Sequence, residues 1–338
     1  MIEILSTGAA NSVQDLGRFG YLDAGVGRSG AMDGLALEIG NRMLGNPLEA
    51  AGVEVTLFPF RLRFDSATAF AVTGADCPVR LNDRPLPPWW AMRAAAGDVQ
   101  QLGLPRSGAR AMICIAGGID VPPVLGSRAT DLKSGWGGFE GRGLQRGDRL
   151  ALGRSTGSGL ADLPTGFGID PTEMRGPATE TGLAGETTVR VLPSAEFADF
   201  TDEARNALFA SAWQLTNDAN RQGFRLQGPH LALSKKLELF SHGIMPGTVQ
   251  VPPSGQPIIQ LAEANTCGGY PKIANVIEAD LWRLAQVPVG RAIRFVAIDR
   301  PAAIAALRRQ RAMIDDIAAL AALARKDVKH PERSGTAE

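Results

Sequence analysis

The chain has 338 residues, 44% of them apolar and 21% charged, the composition of an ordinary water-soluble protein with enough length for two cores. Lysine plus arginine total 35, as do aspartate plus glutamate, so no basic excess draws the chain to nucleic acid or to an anionic membrane. Forty glycines and 22 prolines against 6% aromatic residues imply many tight turns and a mainly β architecture with some α.

Cys77, Cys114 and Cys267 are odd in number, far apart and outside any CxxC pair, which supports neither a disulfide framework nor a zinc knuckle. Glu3, Asn11, Gln14 and Asp15 interrupt the N-terminus before a signal segment could form, and no later apolar run reaches the length of a membrane span. A cytoplasmic location is expected.

Residues 2–5 open the chain as a short apolar strand. Gly17, Gly20, Gly25, Gly27 and Gly30 then recur too closely for a helix, until apolar residues return at helical spacing over 32–44, with Asp33 placed to cap that helix. Gln14, Asp15 and Arg18 precede it, either bracing the Gly-rich loop or lining a polar ligand site. Residues 53–57, 62–64, 69–73 and 79–82 read as successive strands, Trp89 and Trp90 as packing, and 111–116 as a buried strand ended by Gly117 and Gly118. The order Gly97-Asp-Val-Gln100, Pro105-Arg-Ser-Gly108, strand, Gly117-Gly118 is echoed by Gly247-Thr-Val-Gln250, Pro253-Ser-Gly255, strand, Gly268-Gly269. Such an echo suggests duplication of one β-barrel.

The expected division is therefore a first barrel over 1–153, a linker or inter-domain crossing over 154–188, and a second barrel over 189–300. A C-terminal amphipathic helix over 301–327 and a frayed tail over 328–338 follow. Within the second half, 196–210 reads as a helix with Asp202 and Glu203 near its start.

Chemistry is bounded by absence of motifs. His230, His242 and His330 are the only histidines, none of them next to a GxSxG nucleophile motif, and neither HExxH, GxxxxGK[ST] nor a Met-Lys-Met biotin carrier occurs. No metal site is expected. What remains is a polar site of amides, carboxylates, Arg, Lys and glycine backbone, suited to holding an anion or a developing oxyanion. Its candidates are Ser127, Arg128, Thr130, Asp131, Lys133 and Arg142 in the first half, and Gln250, Gln256, Glu263, Asn265, Thr266, Tyr270 and Lys272 in the second. Asp131, Lys272 and Glu263 are the expected catalytic members; the others, with Gln14, Asp15 and Arg18, would bind substrate or phosphate.

Five ordered blocks carry a resemblance: VQDLGRFGYLDAGVGRSGAMD, IAGGIDVPPVLGSRATDL, GGFEGRGLQRGDRL, PGTVQVPPSGQPIIQL and CGGYPKIANVIEADLWRLAQVPVG. From Ile2 to about Ala324 the chain resembles the family that holds the second allophanate-hydrolase subunit, the carboxyltransferase part of urea carboxylase and the C-type subunit of prokaryotic 5-oxoprolinase. Its length, Ser241-His242-Gly243 and the helical tail are most similar to the last.

The resemblance implies two cyclophilin-like β-barrels in tandem. It also implies ATP-dependent conversion of 5-oxoproline to L-glutamate through a phosphorylated lactam, with the B- and A-type 5-oxoprolinase subunits as partners, ATP as substrate with Mg2+, and no biotin on this chain. The alternatives are a carboxyltransferase moving a carboxyl group from carboxybiotin to urea or a related amide, and a non-catalytic regulatory binding protein. The family's Asp-x-Gln-Thr-Thr stands here as Glu263-Ala-Asn265-Thr266-Cys267, and its Arg-Met-Gly as Arg221-Gln222-Gly223. Carboxylate and amide are kept with altered reach, which bears on substrate identity more than on fold.

Overall fold

The computed structural model describes residues 1–155, 166–170 and 185–327; most of the expected crossing and all of the expected tail lie outside them. The described chain is mainly β with some helix, and it divides into two compact units. The first holds residues 1–16, the described residues from 34 to 170, and the last helix from Arg311 onward; the second holds residues 17–33 and the described residues from 185 to 310.

In the first unit, β1 (Ile2–Ser6), β4 (Phe60–Phe64), β6 (Val79–Leu81), β7 (Arg84–Leu86), β9 (Val99–Leu102) and β11 (Arg149–Leu150) form a sheet in the order β11-β1-β4-β9-β6-β7. A second sheet is built from β2 (Ser12–Gln14), β3 (Gly52–Val55), β5 (Thr68–Asp76), β8 (Trp90–Ala94), β10 (Ser107–Ile115) and β12 (Phe167–Gly168), in the order β12-β8-β5-β10-β3-β2. Strand alternation explains how they share one core. In β4, Phe60, Leu62 and Phe64 point inward while Arg61 and Arg63 are exposed. Phe64 stacks on Phe70 of the other sheet with ring centroids 5.2 Å apart.

Strand β10 is buried on both faces, which is why it reads as a continuous apolar run. Ala111, Ile113 and Ile115 enter the shared core; α1 (Gly34–Leu44) covers the other face. Thr73 Oγ1 donates to the Ala36 carbonyl at 2.7 Å, and the Cys114 thiol lies 3.7 Å from the Leu37 carbonyl. A Cβ on Gly40 would come within 2.6 Å of Cys114 Sγ, so glycine sets the closeness of helix and sheet. Burial pushes the Cys114 thiol up, and burial with Asp76 raises Cys77 to about 12. Both thiols are inert core groups.

The second unit has the strands β13 (Glu186–Pro193), β14 (Trp213–Leu215), β15 (Gly223–Gln227), β17 (Thr248–Gln250), β18 (Ile258–Gln260), β20 (Lys272–Val276) and β21 (Ala292–Ala297). They close into a barrel in the order β13-β20-β17-β18-β15-β14-β21. A separate two-stranded antiparallel sheet of β16 (His242–Gly243) and β19 (Cys267–Gly268) stands outside that ring. Trp213, Phe224, Ile259, Ile273 and Phe295 fill the core, joined by Met32. The helix expected over 196–210 begins late: Phe197–Asp199 is a 3₁₀ turn, and Thr201 then caps α2 (Asp202–Ala210) by accepting the Ala204 N–H at 3.2 Å. The short α3 (Leu281–Ala285) precedes β21, and α4 (Arg300–Asp327) ends the described chain.

The two echoing segments differ in strand pairing. Strands β9 and β10 belong to different sheets, whereas β17 and β18 are paired neighbours with Val249 opposite Ile259. What the two segments share is turn chemistry: Gly97, Gly108, Gly247 and Gly255 all adopt positive φ.

Gly74 of β5 lies opposite a bulge in β10, where the register shifts between Ser107 and Ala111. Its φ is +91°, and a Cβ would lie 2.5 Å from the Arg110 carbonyl oxygen. Backbone strain and overlap act together there, so Gly74→Ala is expected to lower stability by about 1–3 kcal/mol, read as a shifted urea midpoint with an unchanged slope.

Candidate functional site

In the first unit, β2 and the turn over 127–131 form one hydrogen-bonded cluster. Asp15 accepts from Ser127 Oγ at 2.7 Å and from the Arg128 N–H, and Ser127 Oγ in turn accepts the Ala129 N–H at 3.0 Å. Thr130 donates twice to the Val13 carbonyl, from its N–H at 3.0 Å and its hydroxyl at 2.8 Å. Gln14 Nε2 reaches Ser12 Oγ at 2.9 Å and the Thr130 carbonyl at 3.1 Å, while its Oε1 is buried with no partner among the described residues. An acceptor left open in this way can receive a ligand N–H or O–H.

Arg128 is half-buried, its Nε donating to the Val121 carbonyl at 3.0 Å with Asp120 3.6 Å from its guanidinium. Asp131 is buried and accepts the Ser134 N–H at 2.9 Å, which shapes the loop carrying the exposed Lys133. Arg142 clasps Asp148 through two bonds of 2.8 and 3.0 Å and also holds Glu140. Burial raises the Asp148 carboxyl, but the Arg142 guanidinium and the Gln145 N–H prevail and hold it below its ordinary value.

In the second unit the expected amides split by role. Gln256 closes a backbone clamp, accepting the Gly228 N–H at 2.8 Å and donating to the Gly228 carbonyl at 3.1 Å. Gln250 is buried at a register shift of β17, accepts from Gln260 Nε2 at 2.9 Å and donates to the Tyr270 carbonyl at 3.3 Å. A Cβ on Gly268 would lie 3.0 Å from Gln250 Nε2, so the Gly-Gly loop sits directly on this amide. Tyr270 is 48% exposed. Lys272 opens β20, its N–H bound to Glu196 at 3.0 Å and its side chain half-buried. Asn265 is exposed, and the Thr266 carbonyl accepts the Ile244 N–H at 3.0 Å.

Glu263 and Arg18 converge on a third group. Arg221 Nε donates to Glu263 Oε1 at 2.6 Å, with their side chains 10% and 4% exposed, and Arg221 Nη2 donates to the Gly30 carbonyl. The loop that carries Gly30 is closed by the Arg18 N–H on the Arg28 carbonyl at 2.8 Å. Gly17, at φ +90°, is packed so tightly that a Cβ would lie 2.7 Å from the Arg28 and Ser29 carbonyl oxygens. Ser29 itself is 3% exposed, has φ 51°, and its hydroxyl has no partner among the described residues.

Arg221 and Ser29 are absent from the sequence candidates. The Arg-Gln-Gly triplet before β15 was the available signal for Arg221; a serine within a glycine run gives none, because left-handed backbone is invisible without coordinates. Among the described residues no group of three or more His, Cys, Asp or Glu side chains could hold a metal ion.

Arg221→Ala is expected to destabilise the chain by roughly 3–5 kcal/mol, since it takes the closely placed cation from a buried carboxylate; Arg221→Ala with Glu263→Gln should recover part of the loss in denaturant titration. Asp148→Asn should act through pH. A depressed carboxyl stabilises fully above its unfolded pKa of about 3.9 and loses that contribution as pH falls through the folded value. The wild-type and D148N stability curves should therefore converge in acid and separate toward neutrality.

The chain matches the family described as "Carboxyltransferase domain, subdomain A and B" over residues 24–297. It is 41% identical to the C subunit of 5-oxoprolinase from Escherichia coli (strain K12), over 94% of this chain and 98% of that protein. Identity to the same-named protein of Haemophilus influenzae is 39%, over 94% and 97%. Among solved structures it is similar to the Kluyveromyces lactis urea amidolyase, with a TM-score of 0.83 and 29% identity, covering 94% of this chain and 20% of that one. The K. lactis urea carboxylase gives 0.82 and 29%, over 94% of this chain and 29% of its own. The chain belongs to the carboxyltransferase A and B subdomain family.

Proposed function

We propose that the chain is the C-type subunit of an ATP-dependent 5-oxoprolinase, active in a cytoplasmic complex with B- and A-type subunits and converting 5-oxoproline to L-glutamate through a phosphorylated lactam. The observation that carries this reading is identity of 41% along nearly the whole length of both chains, and the full-length match leaves little of that relative uncovered. A lactam is a poor electrophile; placing phosphate on its oxygen supplies a leaving group, after which water opens the ring. That route asks the protein for anion-holding donors and for positioned acid and base groups.

The residues offer both kinds. Lys272 is the proposed cation toward developing negative charge, and Asp131 the proposed acid or base. Glu263 acts through Arg221, whose guanidinium it fixes. Gln14, through its open buried carbonyl, and Gln250, under the Gly-Gly loop, are proposed to orient polar substrate atoms. Asp15, Arg18, Ser127, Arg128, Thr130 and Arg142 hold the loops that shape these clusters, and Lys133, Asn265, Thr266 and Tyr270 lie at their accessible margins. ATP enters as substrate, with Mg2+ carried on its phosphates.

The similarity to urea carboxylase structures at TM-scores of 0.82 and 0.83 favours one second reading, carboxyl transfer from a carboxybiotin on another chain to urea or a related amide. Mixing the three subunits with ATP and 5-oxoproline separates the two. Glutamate release that requires all three is expected; no release, beside carboxyl transfer from a biotinylated partner, would replace the first reading by the second. Lys272→Ala and Asp131→Ala are each expected to cut turnover by about 100-fold or more with the melting temperature unchanged, and wild-type rates in both would return these residues to the scaffold.

A further inference from the structure

We infer that the Ser29 hydroxyl contacts the substrate, donating a hydrogen bond to an anionic carboxylate or phosphoryl oxygen. Two separate costs meet at this residue. Its hydroxyl is buried, at 3% exposure, with no hydrogen-bond partner among the described residues, and a buried polar group left unpaired is destabilising. Its φ of 51° is in the left-handed region, where a side chain with a Cβ is unfavourable. Glycine at this position would remove both costs, and the neighbouring Gly27 and Gly30 show that the segment accommodates it.

The backbone around Ser29 is held in place. Arg221 grips the Gly30 carbonyl, Glu263 grips Arg221, the Arg18 N–H holds the Arg28 carbonyl at 2.8 Å, and Gly17 packs against the Ser29 carbonyl. Strain that surrounding structure holds in place is concentrated at ligand sites. The charge nearby bears on the class of ligand: Arg18 and Arg28 belong to this loop and Arg221 to its anchor, against the carboxylates of Asp23 in the loop and Glu263 beside Arg221. A hydroxyl donor among arginines suits an oxyanion. The site follows from the geometry alone; the choice between the 5-oxoproline carboxylate and a phosphoryl group of ATP rests on the 5-oxoprolinase reading.

Ser29→Gly and Ser29→Ala, each assembled with the two partner subunits, test this. Neither variant should lower the melting temperature of the chain, and both should reduce kcat/KM roughly 10- to 100-fold, the loss of one charge-assisted hydrogen bond. A raised KM for 5-oxoproline assigns the contact to its carboxylate, a raised KM for ATP to a phosphoryl group. Melting several degrees below wild type would mean that the hydroxyl serves the fold, and wild-type kcat/KM for both substrates would likewise overturn the inference. If the wild-type complex releases no glutamate, the functional reading fails by itself. Thermal shift of the purified chain with 5-oxoproline or inorganic phosphate then decides: an upshift in wild type that Ser29→Gly loses sustains the contact, and an equal or absent upshift in both ends it.

Discussion

The buried pair of Arg221 and Glu263 is the constraint on which the second unit's polar architecture depends. A carboxylate 4% exposed is tolerable only beside a cation with good geometry, and Arg221 supplies it at 2.6 Å. The same guanidinium has a donor left for the Gly30 carbonyl, so one side chain ties the β15 edge, the turn after β18 and the Gly-rich segment together. Lysine could not do this, because a point charge lacks the fork that serves two acceptors at once. The loop over 17–30 has few apolar anchors, with Phe19 and Leu22 exposed. Its shape therefore comes from Arg221, from the Arg18 and Arg28 backbone bond, and from Gly17, where no side chain fits.

Much of the fold was legible because strand and helix leave periodic marks. The strand expected over 62–64 lies within β4, which is buried on one face, and the unbroken run from Ala111 to Ile115 reported burial on two. The helix over 34–44 was legible from spacing. The start of α2 was displaced because Phe197–Asp199 satisfies helical periodicity locally while its hydrogen bonds close three residues apart. Pairing was not legible. Gly97 to Gln100 and Gly247 to Gln250 read alike, yet β17 meets its successor while β9 lies in the other sheet from β10. Turn residues specify a local bend, and partner choice is decided by contacts distant in sequence.

The site was legible by composition and not by role. A dense set of amides, acids and bases marked the loops, but hydrogen-bonding residues in loops serve backbone first. Gln256 clamps Gly228, Asp15 braces the turn at Ser127, and Arg142 answers Asp148 and Glu140. Two groups with capacity to spare are ones whose buried atoms find no partner among the described residues: Gln14 Oε1 and Ser29 Oγ. Neither could be ranked above its neighbours from sequence, because satisfaction is a property of three-dimensional surroundings.

Phosphorylation of a lactam and carboxylation of an amide make the same demand on the protein. Each passes a small anionic group to an amide-like centre, and each is defeated if water reaches the activated species first. Donors held in a water-poor environment stabilise such charge more strongly than solvated ones and need no reorganisation when the charge appears. The proposed contact through the buried Ser29 hydroxyl, on left-handed backbone whose neighbour Gly30 is held by Arg221, would meet that demand in either reaction. In the segment after Glu263, Asn265 and Cys267 stand exposed and Thr266 half-buried, where a change of side-chain reach leaves the Arg221 and Glu263 pair intact.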